Sequence, residues 1–101
     1  MFVATCEIDI LLGDVHSLQE KRAVVKPIVR ELRRRFDVAA AETDHQDLHR
    51  RALVTVGAVS GDAAHAQGVA DACEQWVSGL PEITVVGVRR RLFGGDDEGV
   101  R

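Results

Sequence analysis

The segment Glu42 to Arg51, E-T-D-H-Q-D-L-H-R-R, sets Asp44, His45, Asp47 and His49 within six positions, with Glu42 before them and Arg50 and Arg51 behind. Carboxylates and imidazoles are the groups of acid–base chemistry, metal ligation and polar recognition. A reversal between two strands needs only about two polar residues, so the surplus asks for a role. A second polar group, H-S-L-Q-E-K-R from His16 to Arg22, stands upstream.

Several chemistries can be weighed on these residues. A metal site would draw on Asp44, His45, Asp47 and His49, but four-residue spacing brings two histidines to one side only on a helix. The segment also holds no cysteine and runs into Arg50 and Arg51, so no metal ligands are assigned and no cofactor is expected. An anion site could use the first amides of a helix near His16, Ser17 and Arg22. Ser17 and Glu20, however, have the spacing of a capping box that occupies those donors, and Asp14 repels an anion. Glycine-rich phosphate loops and a G-x-S-x-G nucleophile motif are absent from the sequence. A small enzyme or ligand-binding protein would use His16, Asp44, His45 and Asp47 in a cleft. The plainer reading is an ionic network in which Lys21 and Arg22 pair with Asp44 and Asp47, Ser17 and Glu20 cap a helix, and His45 pins the reversal.

The elements around these groups are readable from periodicity. Even positions from Phe2 to Leu12 are apolar while Thr5, Glu7 and Asp9 fall on odd ones, the period of a half-buried strand. A helix follows from Ser17 to Phe36, with Leu18, Val25, Val29, Leu32 and Phe36 on one stripe. Pro27 lies opposite that stripe, so it predicts a bend around the core, not a break. After Asp37, the Ala-rich run Val38 to Thr43 predicts an edge strand, and Ala52 to Ser60, apolar on both faces, a central one. Asp62 caps a second helix carrying Ala66, Val69, Ala70, Cys73, Trp76, Val77 and Leu80, and Ile83 to Phe93 is the last strand. This order predicts an α+β, ferredoxin-like βαββαβ sandwich with two helices on one face of a four-stranded antiparallel sheet. Residues 1–93 would form the single domain, and 94–101 a disordered acidic tail.

That topology brings His16 to Arg22 beside Asp44 to Arg51 at one end of the sheet, and predicts Arg33 to Arg35 converging with Arg89 to Arg91 at the other. The polar patch then comprises His16, Ser17, Glu20, Lys21, Arg22, Asp44, His45, Gln46, Asp47 and Arg51. Leu53, Val59, Val85, Gly57 and Gly87 are expected on the open sheet face, as an apolar surface for a homodimer.

The two polar motifs, with the length and element order, resemble the YlxP-like family of small bacterial proteins over nearly the whole chain to about Phe93. The resemblance implies a ferredoxin-like fold and no known activity. It also implies a cytoplasmic protein, in a family often encoded beside translation and ribosome-maturation genes, hence work on RNA or a ribosomal particle. His49, where the family pattern has an aromatic, departs from it, and Arg89 to Arg91 and the acidic tail look particular to this chain.

Charge bears on the same question. The chain is −3 overall, yet Ser17 to Phe36 holds seven basic residues against two acidic. Arg22, Lys26, Arg30, Arg33 and Arg34 are the candidate nucleic-acid contacts, acting through phosphates, since four aromatics are too few for a stacking surface. Cys6 and Cys73 are expected as buried thiols in a reducing compartment. The first dozen residues, interrupted by Glu7 and Asp9, suit neither a signal peptide nor a membrane span. The expected protein is a non-catalytic cytoplasmic binding module.

Overall fold

The even-numbered apolar residues of the first strand find a common inner face. The structure, a computed structural model, describes residues 1–95. β1 (Phe2–Leu12) buries Ala4, Cys6, Ile8, Ile10 and Leu12. α1 (Leu18–Phe36) starts at Ser17, whose hydroxyl accepts from the Glu20 amide at 3.0 Å, while the Glu20 carboxylate reaches back to the His16 amide at 3.0 Å. This is the reciprocal satisfaction of free helix amides that the spacing predicts, moved one residue outward on the carboxylate side. Pro27 is exposed and the helix runs through it unbroken. Asp37 closes it in the left-handed region at φ 54°.

β2 (Ala39–Asp44) pairs with β3 (Arg51–Ser60), and β3 with β1, both antiparallel. α2 (Ala63–Ser78), capped by Asp62, buries Ala66, Ala70, Cys73 and Val77. β4 (Ile83–Gly94) returns antiparallel to β1, one residue past the expected end at Phe93. Sheet order is β2-β3-β1-β4, with one core between the sheet and both helices. This is the α+β, ferredoxin-like sandwich. Residues 96–101, which carry the acids of the expected disordered tail, lie outside the described residues.

Two expectations change. A register shift opposite Asp9 and Ile10 places Val85 against the buried Ile10, so Val85 is half-buried on the helix side. One inserted residue reverses the facing of everything beyond it. Leu53, Gly57, Val59 and Gly87 keep to the open face as expected, with Thr5, Glu7 and Asp9 on β1 among them, beside Arg51, Thr55, Arg89 and Arg91. The arginines share one end of the sheet, as the row Ala39–Gly57–Thr5–Arg91 shows, but do not gather into one cluster. Arg33 is fixed at the β2 margin by the Ala40 carbonyl, whereas Arg90 is at the β4 margin against Asp71 and Glu74 of α2. These are the two opposite margins of the sheet, with β3 and β1 between them.

Candidate functional site

The hairpin between β2 and β3 folds back over the start of α1, and its anchor is Lys21. The residue is only 1% exposed; its ammonium donates to the His45 carbonyl at 2.5 Å and lies 2.7 Å from Glu42 Oε2. The expected acids, Asp44 and Asp47, are not its partners. Glu42 Oε2 is buried with no donor aligned for a hydrogen bond, so its compensation is the ion-pair contact alone. A buried charge persists only when paired.

His45 takes φ 60°, a left-handed conformation that histidine tolerates better than most residues. Its amide is held by Asp44 Oδ1 at 2.7 Å, and its carbonyl also accepts from Leu48 N at 3.0 Å, closing the turn. The backbone of His45 therefore pins the hairpin, and the imidazole is turned onto the open face, with Nε2 3.8 Å from Asp9 Oδ2. Asp9 is held by Arg51 through two parallel bonds, Nε to Oδ1 at 3.2 Å and Nη2 to Oδ2 at 2.7 Å, a fork only arginine offers. The hydrogen bonds that Arg51 donates to Asp9, and the charge of that carboxylate, push the Arg51 guanidinium pKa up. Glu7, Asp9, His45, Gly87 and Arg89 are among the residues lining a depression of about 390 Å³ on this face.

The remaining patch residues divide between two further hollows. Lys21, Arg22, Gln46 and Asp47 lie around one between α1 and the hairpin; His16 shares the other with Asp47, His49 and Arg50. His16 Nε2 meets Asp14 at 2.5 Å, and Gln46 Nε2 donates to the Glu42 carbonyl at 3.3 Å. Thus His16, Asp44, His45 and Asp47 share one end of the molecule but line no common cleft. Among the described residues, no three His, Cys, Asp or Glu side chains group as metal ligands.

Sequence reasoning assigned no role to Asp9, Glu42 or Arg50. Arg50 donates to the Leu12 and Gly13 carbonyls at 3.2 and 3.0 Å, and Leu12 N returns a bond to the Arg50 carbonyl at 2.8 Å, stitching the hairpin to the end of β1. Facing parity pointed to Asp9 on the open face; no local signal marked the other two.

On α1, Arg22, Lys26, Arg30, Arg33 and Arg34 are all exposed. Arg33 donates to the Ala40 carbonyl at 3.0 and 2.7 Å, and Arg34 pairs with Glu31 at 2.9 Å. Arg22, Lys26 and Arg30 form no ion pair among the described residues. Lys26, Arg30 and Arg33 line the groove between α1 and the margin of β2. No helix among the described residues is long and apolar enough to cross a membrane.

Fold and site together define a small α+β sandwich with a braced polar hairpin at one end and a cationic helix beside it. The chain belongs to a family described as a protein of unknown function, DUF503, whose model matches residues 3–90. It is also similar to an uncharacterized protein, YlxP, of Bacillus subtilis (strain 168), 28% identical over 91 residues, 90% of this chain and 99% of that one.

Proposed function

We propose that this protein is a non-catalytic cytoplasmic binding module that contacts RNA or a ribosomal particle through α1. One observation carries the reading: Arg22, Lys26 and Arg30 recur every four residues along an exposed stripe, without an acidic partner among the described residues. At 1.5 Å per residue these cations are about 6 Å apart along the helix. Arg33 extends the stripe, and since its partner is a neutral carbonyl it keeps its full charge toward a phosphate. Arg34 adds less because Glu31 already offsets it. The braced hairpin supplies a fixed polar patch beside the stripe, with Asp47 and His16 at its outer rim. The enzyme reading is weaker, because its four residues face three different surroundings.

Reversing Arg22, Lys26 and Arg30 to Glu tests this. All three are exposed, so the thermal midpoint should hold. Wild-type protein should co-sediment with ribosomes at low salt, with log K falling against log salt at a slope of about −2 for three single-strand phosphate contacts. The variant should remain in the supernatant. Equal sedimentation of the two proteins, or none by the wild type, refutes the proposal.

A further inference from the structure

We infer that the free margin of β4 is a docking edge for an extended segment of another protein in which acidic and apolar residues alternate. β4 has 12 residues, against about 5–6 for a common strand, and lies at the outer side of β1. A marginal strand exposes a row of unpaired N–H and C=O groups, which folds ordinarily suppress by shortness, charge or cover. The opposite margin is suppressed in this way. β2 has six residues, and the Ala40 and Glu42 carbonyls are occupied by Arg33 and Gln46. Among the described residues no side chain occupies a β4 carbonyl in the same manner. Helix cover is incomplete too: α2 reaches Arg90 through Asp71 and Glu74, yet Val88 and Leu92, on the helix side, remain 40% and 41% exposed, and Phe93, on the open face, 50%.

The charges choose the occupant. Arg90, between Val88 and Leu92 on the helix side, is already paired with Asp71 at 3.3 Å and with Glu74. Arg89 and Arg91 face the open side and form no ion pair among the described residues; Glu7 is opposite Arg89 in register without reaching it. An added strand would meet an apolar strip around a neutralised arginine on one face. On the other it would meet two uncompensated guanidiniums two residues apart. Acids at every second position with apolar residues between them satisfy both faces, since side chains alternate along a strand. A second β4 does not. β4 holds no Asp or Glu, so no register brings a carboxylate to either arginine, and antiparallel pairing about Arg89 or Arg90 sets arginines directly opposite each other, which is destabilising. RNA would meet the guanidiniums yet leave the apolar strip and the backbone row unused.

The test is a titration of ¹⁵N-labelled full-length protein, followed by amide shifts, with a peptide of about ten residues in Val-Glu repeats. Two probes of similar charge run beside it: a Pro-Glu repeat, which lacks half the backbone donors needed to pair with a strand, and a single-stranded oligouridylate. The Val-Glu peptide should shift Val86 to Phe93, with affinity at least about tenfold above the Pro-Glu repeat, and about tenfold weaker toward Arg89→Gln/Arg91→Gln. Equal binding of the Pro-Glu repeat or the oligouridylate at β4 would reduce the site to charge attraction and overturn the inference. So would shifts confined to α1, or no shift at millimolar peptide. The peptide comparison needs no variant, so a folding defect in the double substitution leaves the test decisive.

Discussion

Lys21→Met isolates the anchor of the hairpin. Methionine keeps much of the length and apolar stem of lysine, so packing among Leu18, Val25 and the hairpin changes little, while the ammonium is lost. Glu42 Oε2 then remains buried without its only compensating charge, and the His45 carbonyl loses its 2.5 Å donor. Removing one member of a buried pair costs about 3–5 kcal/mol. The Glu42 side chain is 20% exposed and can regain some water, which places the expectation near the lower end, about 3 kcal/mol. At a urea slope of about 1.5 kcal/mol per molar, the unfolding midpoint falls by about 2 M. The companion Lys21→Met/Glu42→Gln removes both charges and should recover about half of the loss, since a neutral amide costs less to bury than an unpaired carboxylate. A single-variant cost below about 1 kcal/mol, or a double variant no better than the single, would show that the pair does not hold the hairpin.

Two further outcomes are expected. Pro27→Ala restores an amide in the interior of α1 at an exposed position, and should raise stability by up to about 3 kcal/mol, read as a higher thermal midpoint; a lower midpoint would mean that proline at this position helps Val25 and Val29 reach the core. Burial pushes the Cys73 thiol up to about 11 and raises Cys6 as well. A folded pKa above the unfolded one favours the protonated form, so this contribution is intact below about pH 9 and is lost as pH rises through about 11. Stability curves from pH 7 to 11 should fall less steeply for Cys73→Ala than for wild type, and equal slopes would remove the thiol from the account.

The fold was legible because its signals are local and mutually consistent. A period of two in β1, the Ser17 and Asp62 caps, the turn at Asp37 and the helical spacing around Cys73 each agree with one element order. What escaped was long-range. Lys21 falls three residues after Leu18 and four before Val25, squarely on the buried stripe, so its position did carry the signal; its charge argued for the surface, and only the distant Glu42 reverses that. The Asp9–Arg51 fork depends on β1–β3 register, which sets Leu11 opposite Arg51 and Asp9 opposite Leu53 as diagonal neighbours. Val85 was misplaced because a single irregularity in β4 shifts parity without changing composition.

The crowding of polar residues in the two motifs follows from how the hairpin is held. Ser17 and Glu20 close the helix start, Lys21 and Glu42 clamp the turn backbone, Asp44 fixes the His45 amide, Gln46 takes a β2 carbonyl, and Arg50 and Arg51 tie the hairpin to β1. Each of these groups is engaged within the molecule, so the density that first suggests catalysis is largely that of a brace. Among the described residues, the Lys and Arg side chains left over occupy two separate places: the Arg22–Lys26–Arg30 stripe of α1, on the side where Arg33 and Gln46 seal the sheet, and Arg89 with Arg91 on the side where the sheet is open. An arginine that caps a carbonyl prevents strand addition, whereas one that stands free beside an unpaired strand edge selects for an acidic partner. The same residue type thus closes one margin and keys the other, and reversing the free arginines on one side should leave binding at the other unchanged.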